Sequence, residues 1–326
     1  MIRSVEDAEL LARATAWDGP SLTAANAAAI VRELGLDFAT ALLHEQLVRE
    51  PANVEFLGEA QRATHPPEKD ILIGIVPGAF HREHRHTGAD GARVLVMARE
   101  LGVRAEVIPT RSFGTLEENA RLIHQWLESR GGQRLALISL SKGGADVKYA
   151  LSLPEAAEAF AKVCAWVSFS GTVQGTPLVG WLRRRPFRWW AVRLLLWWRR
   201  HSRETLEDLR HGPDTPLAVW PVLPPHLRVV HVCGFPLERH LTHPWAFRAY
   251  GRLASLGPND GGGNLLSDAL SFPGVVCPVW GADHYLSPCW DALPLLTGIA
   301  AAALTPRQAS ESASQPSAPP VRRSSA

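Results

Sequence analysis

Arg134-Leu-Ala-Leu-Ile-Ser-Leu-Ser-Lys-Gly-Gly-Ala-Asp146 decides how the rest of this chain is read. Leu135 to Ile138 is a short apolar run, the pattern of a fully buried parallel strand. It breaks at Ser139-Leu140-Ser141-Lys142-Gly143-Gly144, and Ala145 to Ser152 then reads as a helix. A strand that turns into a helix through small-x-Ser-x-Gly holds its central serine at a strained apex, where the residues two positions away must be small. Ser139 and Gly143 meet that need. The helix N-terminus faces the serine, and its unpaired N–H groups and positive dipole end suit a developing oxyanion. Ser141 is therefore the candidate nucleophile. Ser139 is a poorer one, because Leu137 would stand at its inner flank. A phosphate loop fits less well, since Gly-x-x-x-x-Gly-Lys-Ser/Thr is absent. The plain alternative is a glycine-containing turn whose hydroxyls cap the helix.

The stretch resembles the nucleophile elbow of the α/β-hydrolase superfamily, on its lipase and esterase side, with Ser139 where the family usually has glycine. The resemblance covers the chain from about Ile71 to Leu304 and implies an α/β fold with a mostly parallel, doubly wound sheet, a helical N-terminal extension and a helical cap. Upstream, the strand Ile71–Val76 leads into Pro77-Gly78-Ala79-Phe80. The family commonly has His-Gly-x here, the N–H of x supplying half of the oxyanion hole. Proline replaces that histidine. By position, Ala79 would donate one N–H and Lys142 the other, with Phe80 the neighbouring possibility; a simple turn is the alternative.

Downstream, Val163–Ser170 and Leu227–Cys233 read as the next strands. Many family members place the acid directly after the latter, but only Glu238 follows, a departure from the commonest pattern. The acid is expected instead at Gly257-Pro-Asn-Asp260-Gly-Gly-Gly263, where glycines permit a tight turn that aims Asp260 inward. A last strand, Gly274–Trp280, leads into Gly281-Ala-Asp-His284-Tyr, placing His284 where the family keeps its general base. The order Ser141, Asp260, His284 is the order of this fold. Asp268 and Asp283 are weaker candidates for the acid.

Composition bounds the rest. The 326 residues can bury one large core plus a cap, and a net charge of +2 argues against a general nucleic-acid binder. Cys164, Cys233, Cys277 and Cys289 form no Cys-x-x-Cys pair, and Cys164, Cys233 and Cys277 lie in or beside apolar runs, where buried free thiols are expected. His81, His84 and His86 could be taken for metal ligands, but Arg82 and Arg85 between them would repel a cation; a solvated loop at the mouth of the site is expected, and neither metal nor organic cofactor is implied. The first residues lack a signal peptide's apolar run and no uncharged stretch reaches spanning length, so a cytoplasmic protein is expected.

The organisation read from these patterns is a helical extension at 1–68, the first part of the core at 69–178, a cap or lid at 179–225, the second part of the core at 226–304, and a disordered Ser/Pro/Ala-rich tail at 305–326. Within the extension, Ser21 or Thr23 is expected to cap a helix from Ala24, and Asn53 another. The cap is unusual: Gly180 to His201 holds five tryptophans and seven arginines and no acid. That composition suits an amphipathic helix at a membrane interface, with possible peripheral contact through 181–201. It equally suits a lid whose aromatic face, with Phe80, Trp189 and Trp190, lines an acyl pocket.

The expected activity is hydrolysis of a carboxylic ester with an apolar acyl group or lipid-like character, through a Ser141–His284–Asp260 triad and an acyl-enzyme. Thioester cleavage or acyl transfer on the same residues is one alternative, because the elbow does not select the leaving group. A catalytically silent hydrolase fold acting as a peripheral membrane or partner-binding module is another.

Overall fold

Apolar runs alternating with amphipathic stretches build one sheet flanked by helices. The computed structural model describes residues 4–63, 70–286 and 293–305. In chain order the elements are α1 (Val5–Thr15), α2 (Ala27–Leu34), α3 (Leu36–Arg49), α4 (Pro51–Arg62), β1 (Ile71–Val76), α5 (Ala92–Glu100), β2 (Arg104–Val107), α6 (Leu116–Glu128), β3 (Arg134–Leu140), α7 (Lys142–Leu151), α8 (Ala156–Ala159) and β4 (Val163–Phe169). Then come α9 (Pro177–Arg183), α10 (Pro186–Trp198), α11 (Thr205–Asp208), β5 (Arg228–Phe235), α12 (Pro244–Leu253), β6 (Val275–Trp280) and α13 (Leu293–Leu304). The boundary expected at 68/69, Cys289 and the tail from 306 onward lie outside the described residues.

The strands pair in parallel in the order β2-β1-β3-β4-β5-β6. Apart from the exposed edge strand β2, both faces of the sheet are covered, which is why the other strands are mostly apolar. Ile71, Ile73, Ile75, Ala136 and Ile138 pack on one side against Phe56 of α4, Met97 of α5 and Ile299 of α13. Leu72, Leu135, Leu137 and Trp166 face the other side, against Ala120 and Ile123 of α6 and Val147 and Ala150 of α7. Each of the buried Ile, Leu, Val, Phe and Met side chains among them contributes about 1.5–3 kcal/mol of burial free energy. A capping box opens α6, with Thr115 and Glu118 bonding reciprocally. From β1 the chain crosses to β2 on one side and returns to β3 on the other. The carboxyl ends of β1 and β3 therefore flank a switch point, the place where this kind of sheet leaves a crevice.

The N-terminal helices lie over the β5–β6 end, where Leu42, Leu43 and Leu47 join Phe235 and Trp280. Two expected caps fall elsewhere. Thr23 and Asn26 bond reciprocally in a turn ahead of α2, which starts at Ala27 rather than Ala24. Asn53 sits inside α4, because Pro51 suits the first helical turn and starts the helix earlier. Its buried amide instead donates to the Leu47 carbonyl and accepts from the Val276 N–H, each at 2.8 Å, tying α3 and α4 to β6.

The cap is closed at its base, where Thr176 N–H donates to the Leu209 carbonyl at 2.8 Å. Its basic, Trp-rich stretch is two helices rather than one, with Pro186 opening the second. Among the described residues no helix is long and apolar enough to cross a membrane. Cys233 and Cys277 are buried thiols, pushed up in pKa by burial, and Cys164 is partly buried.

Candidate active site

Ser141 is the single residue between β3 and α7 and has φ +49° and ψ −118°, a conformation a non-glycine residue holds only where its surroundings over-determine it. They do so here. Ser141 N–H donates to the Phe169 carbonyl at 3.0 Å, and its carbonyl accepts from Thr172 and Gly144 at 2.9 Å each. The small neighbours are sterically required: a Cβ on Gly143 would lie 2.4 Å from the Val76 carbonyl oxygen and 2.7 Å from that of Pro77. Ser139 is fully buried and its hydroxyl accepts from Trp166 Nε1 at 2.9 Å, so it is committed to the core.

Ser141 Oγ lies 2.8 Å from His284 Nε2, and His284 Nδ1 lies 2.6 Å from Asp260 Oδ2. A carboxylate can only accept, so Nδ1 carries the proton and Nε2 is left to accept from the serine hydroxyl. The two loops are also joined through the backbone, His284 N–H donating to the Asp260 carbonyl at 2.7 Å. Asp260 Oδ1 accepts from the N–H groups of Gly262, Gly263 and Asn264 at 2.8, 3.1 and 3.1 Å. Burial would raise the Asp260 pKa, but the His284 charge and these hydrogen bonds outweigh it and hold it below the ordinary value. For His284 burial acts downward, and the Asp260 charge and hydrogen bond win, leaving its pKa raised.

The other acids are engaged elsewhere. Asp268 pairs with His211 at 3.1 Å, and Asp283 accepts from the Tyr285 N–H at 3.0 Å. β5 runs on past Cys233 to Phe235, and a Cβ on Gly234 would lie 2.5 Å from the carbonyl oxygens of Ala282 and Asp283, so the position directly after Cys233 has no room for an acidic side chain.

The loop after β1 touches the elbow, a Cβ on Gly78 falling 3.3 Å from Ser141 Cβ. Phe80, at φ +54°, commits its N–H to the Ser112 carbonyl at 2.8 Å, and Gly78 commits its own to Ala89 at 2.8 Å. Among the described residues the Ala79 N–H between them bonds no protein acceptor. Phe80 is thereby excluded as the donor. The Lys142 N–H is in the first turn of α7, where a helix has no internal acceptor. The Lys142 side chain turns inward to a buried pair with Asp146 at 2.6 Å, Asp146 also accepting from Asn119.

His81 departs from the expected solvated loop: it is buried, with Nδ1 3.0 Å from the Gly78 carbonyl. Among the described residues no three His, Cys, Asp or Glu side chains converge to hold a metal. The aromatic residues divide. Phe80 stacks on Phe113 at 4.4 Å between ring centres, and Trp189 packs with them in the cap's inner cluster. Trp190 is 66% exposed and faces outward, not into the site. Asn264 escaped the sequence reading although its amide grips Asp260 Oδ2 at 2.7 Å and the Ser170 carbonyl at 3.0 Å. The one available signal was its place closing the Asn259–Asn264 turn.

No protein-family model matches this chain, and no curated protein matches it by sequence. Solved structures do match. A metagenomic carboxyl esterase superposes with a TM-score of 0.55 at 20% identity, covering 72% of this chain and 76% of its own. A lipase of Bacillus licheniformis, in its mature form, gives 0.51 at 18%, covering 72% and 94%. With the parallel six-stranded order, these likenesses define the class: the protein has the α/β-hydrolase fold.

Proposed function

We propose that the protein hydrolyses carboxylic esters through an acyl-enzyme on Ser141. The observation that carries this reading is the continuous hydrogen-bond chain from Ser141 through His284 to Asp260 at a strained strand-to-helix turn. His284 Nε2 takes the proton as Ser141 Oγ attacks the ester carbonyl, and Asp260 orients and stabilises the imidazolium. The N–H groups of Ala79 and Lys142 receive the oxyanion. As the tetrahedral species collapses, His284 returns the proton to the departing alcohol, leaving an ester on Ser141. Water then attacks by the same route and releases the acid.

The substrate class follows from the cap. Phe80, Phe113, Trp189 and Val179 belong to one apolar cluster between the oxyanion loop and the cap, which favours an apolar or lipid-like acyl group. The likeness to a carboxyl esterase and a lipase agrees with this at the level of the fold.

Labelling with a fluorophosphonate probe, beside Ser141→Ala, His284→Ala and Asp260→Ala, tests the proposal. Modification of wild type at Ser141, abolished in the serine variant and slowed in the other two, is expected. A folded wild type that stays unlabelled both in buffer and in detergent, which opens apolar caps, overturns it.

A further inference from the structure

Three arginines gather around one indole on the outer side of the cap, and a fourth stands one helical turn away on α12. Arg185 and Arg252 place their guanidinium carbons 3.9 and 4.2 Å from the centre of the Trp181 ring, and Arg188 stands at 5.5 Å. Arg248, one turn before Arg252 on α12, lies over Trp245 at 5.9 Å. Like charges are normally kept apart or interleaved with acids. Here, among the described residues, Arg188, Arg248 and Arg252 make no ion pair with a carboxylate, while the nearby Glu207 is taken by Arg183 and Arg210. The mutual repulsion is real: burial first, then the charges of Arg188, Arg248 and Arg185, lower the Arg252 pKa. Such a cluster is a standing vacancy for anionic charge.

An exposed apolar stripe lies on the same cap. On α10, Phe187, Trp190, Leu194, Trp197 and Trp198 recur at helical spacing and are 92, 66, 64, 61 and 72% exposed. The opposite face, with Trp189, Val192 and Leu196, already packs on the core, so this stripe is surplus to folding. On α12, Trp245 and Phe247 are exposed as well. Both helices pack against α9, which carries Trp181.

We infer that α9, α10 and α12 form a docking platform for an anionic lipid bilayer, with Arg185, Arg188, Arg248 and Arg252 receiving lipid phosphates and the α10 stripe entering among the acyl chains. Charge complementarity selects this occupant: guanidinium groups stacked on indoles beside an exposed aromatic stripe match a phosphate layer overlying hydrocarbon. At 13 residues α10 can lie in such an interface but not cross it. The platform adjoins the candidate site, since Thr176, the N-cap of α9, donates to the Gly263 carbonyl in the Asp260 turn at 2.7 Å. Docking would therefore present the site to substrates within the bilayer. It does not depend on the serine being reactive.

Flotation of the full chain with vesicles tests this, using phosphatidylcholine alone and equal parts phosphatidylcholine and phosphatidylglycerol. Binding to the anionic vesicles only is expected, weakened about ten-fold or more in R248Q/R252Q. F187S/W198S should weaken it as well, and S141A should bind as wild type. Hydrolysis of a short soluble ester, measured without vesicles, should be unchanged in both double variants. That separates a failed platform from a failed catalytic reading. No vesicle binding, equal binding to neutral vesicles, or anionic binding indifferent to R248Q/R252Q overturns the inference. So does a dimer in solution that F187S/W198S dissolves, because the stripe would then be covered by a second copy.

Discussion

The backbone of Gly262 lies against the imidazole of His284, so closely that a Cβ at 262 would stand 1.9 Å from the ring's Cγ. The glycine-rich turn thus does two things, offering N–H groups to Asp260 and forming a wall that fixes the histidine. Gly262→Ala should push the ring off the Ser141 line and lower kcat for a soluble ester about 100-fold, the scale of an ångström misplacement, with a smaller effect on KM. Steady-state kinetics beside a thermal melt would check it. An alanine variant with full activity would show that the ring is not held by this contact.

Asp260→Asn probes the charge behind His284. It should reduce kcat/KM about 10,000-fold by favouring the wrong tautomer. The pH profile gives a second reading. In wild type His284 must be neutral to act as base, so kcat/KM should rise with pH through a pKa above the ordinary histidine value of 6.5. Without the Asp260 carboxylate, burial acts downward against the Asp283 charge alone, the last and smallest of the upward influences, so the residual activity of the asparagine variant should rise at lower pH than in wild type.

Asn264→Ala removes an amide that bridges Asp260 to the Ser170 carbonyl without touching substrate. The backbone donors at 262–264 persist, so the loss should be milder, about ten-fold in kcat, and probe labelling at Ser141 should survive at a slower rate. A serine hydroxyl is shorter and has one proton to donate where the amide nitrogen has two, so Asn264→Ser should be as impaired as the alanine variant, whereas Asn264→Gln should retain part of the activity.

At the elbow, Gly143→Ala drives a Cβ into two backbone carbonyls that cannot rotate away. Overpacking of this kind costs about 1–3 kcal/mol, to be read as a lowered melting temperature, together with loss of probe labelling.

The N-terminal extension is held to the core by a buried carboxylate. Asp7 is fully buried on α1 and accepts from Arg239 and from His240, the latter at 3.1 Å, on the segment after β5. Asp7→Ala takes the buried acceptor from both side chains, leaving Arg239 the longer pairs to Asp37 at 3.5 Å and Glu6 at 3.9 Å, and should destabilise the fold by about 3 kcal/mol in urea denaturation. Burial raises the Asp7 pKa, but Arg239 and His240 outweigh it and the pKa is lowered. The stabilisation is therefore present above the unfolded value near 3.8 and should disappear as pH falls through the folded value.

The chain by itself determined what depends on neighbours along it. The apolar runs at Ile71–Val76 and Leu135–Ile138, the small residues around Ser141, and the turns carrying Asp260 and His284 are local patterns of size, polarity and backbone freedom, and they were legible in order. Tertiary structure alone decided which groups meet. That Trp189 turns inward while Trp190 turns out depends on how α10 is rotated on the core. That Phe80 spends its N–H on Ser112, and that His81 is buried, depends on how the loops after β1 and β2 pack. Arg185 and Arg252 are 67 positions apart and share one indole only because α9 rests on α12. Periodicity and steric demand are written into adjacent residues, whereas the partner of a side chain is set by the packing of whole segments, to which distant residues contribute equally.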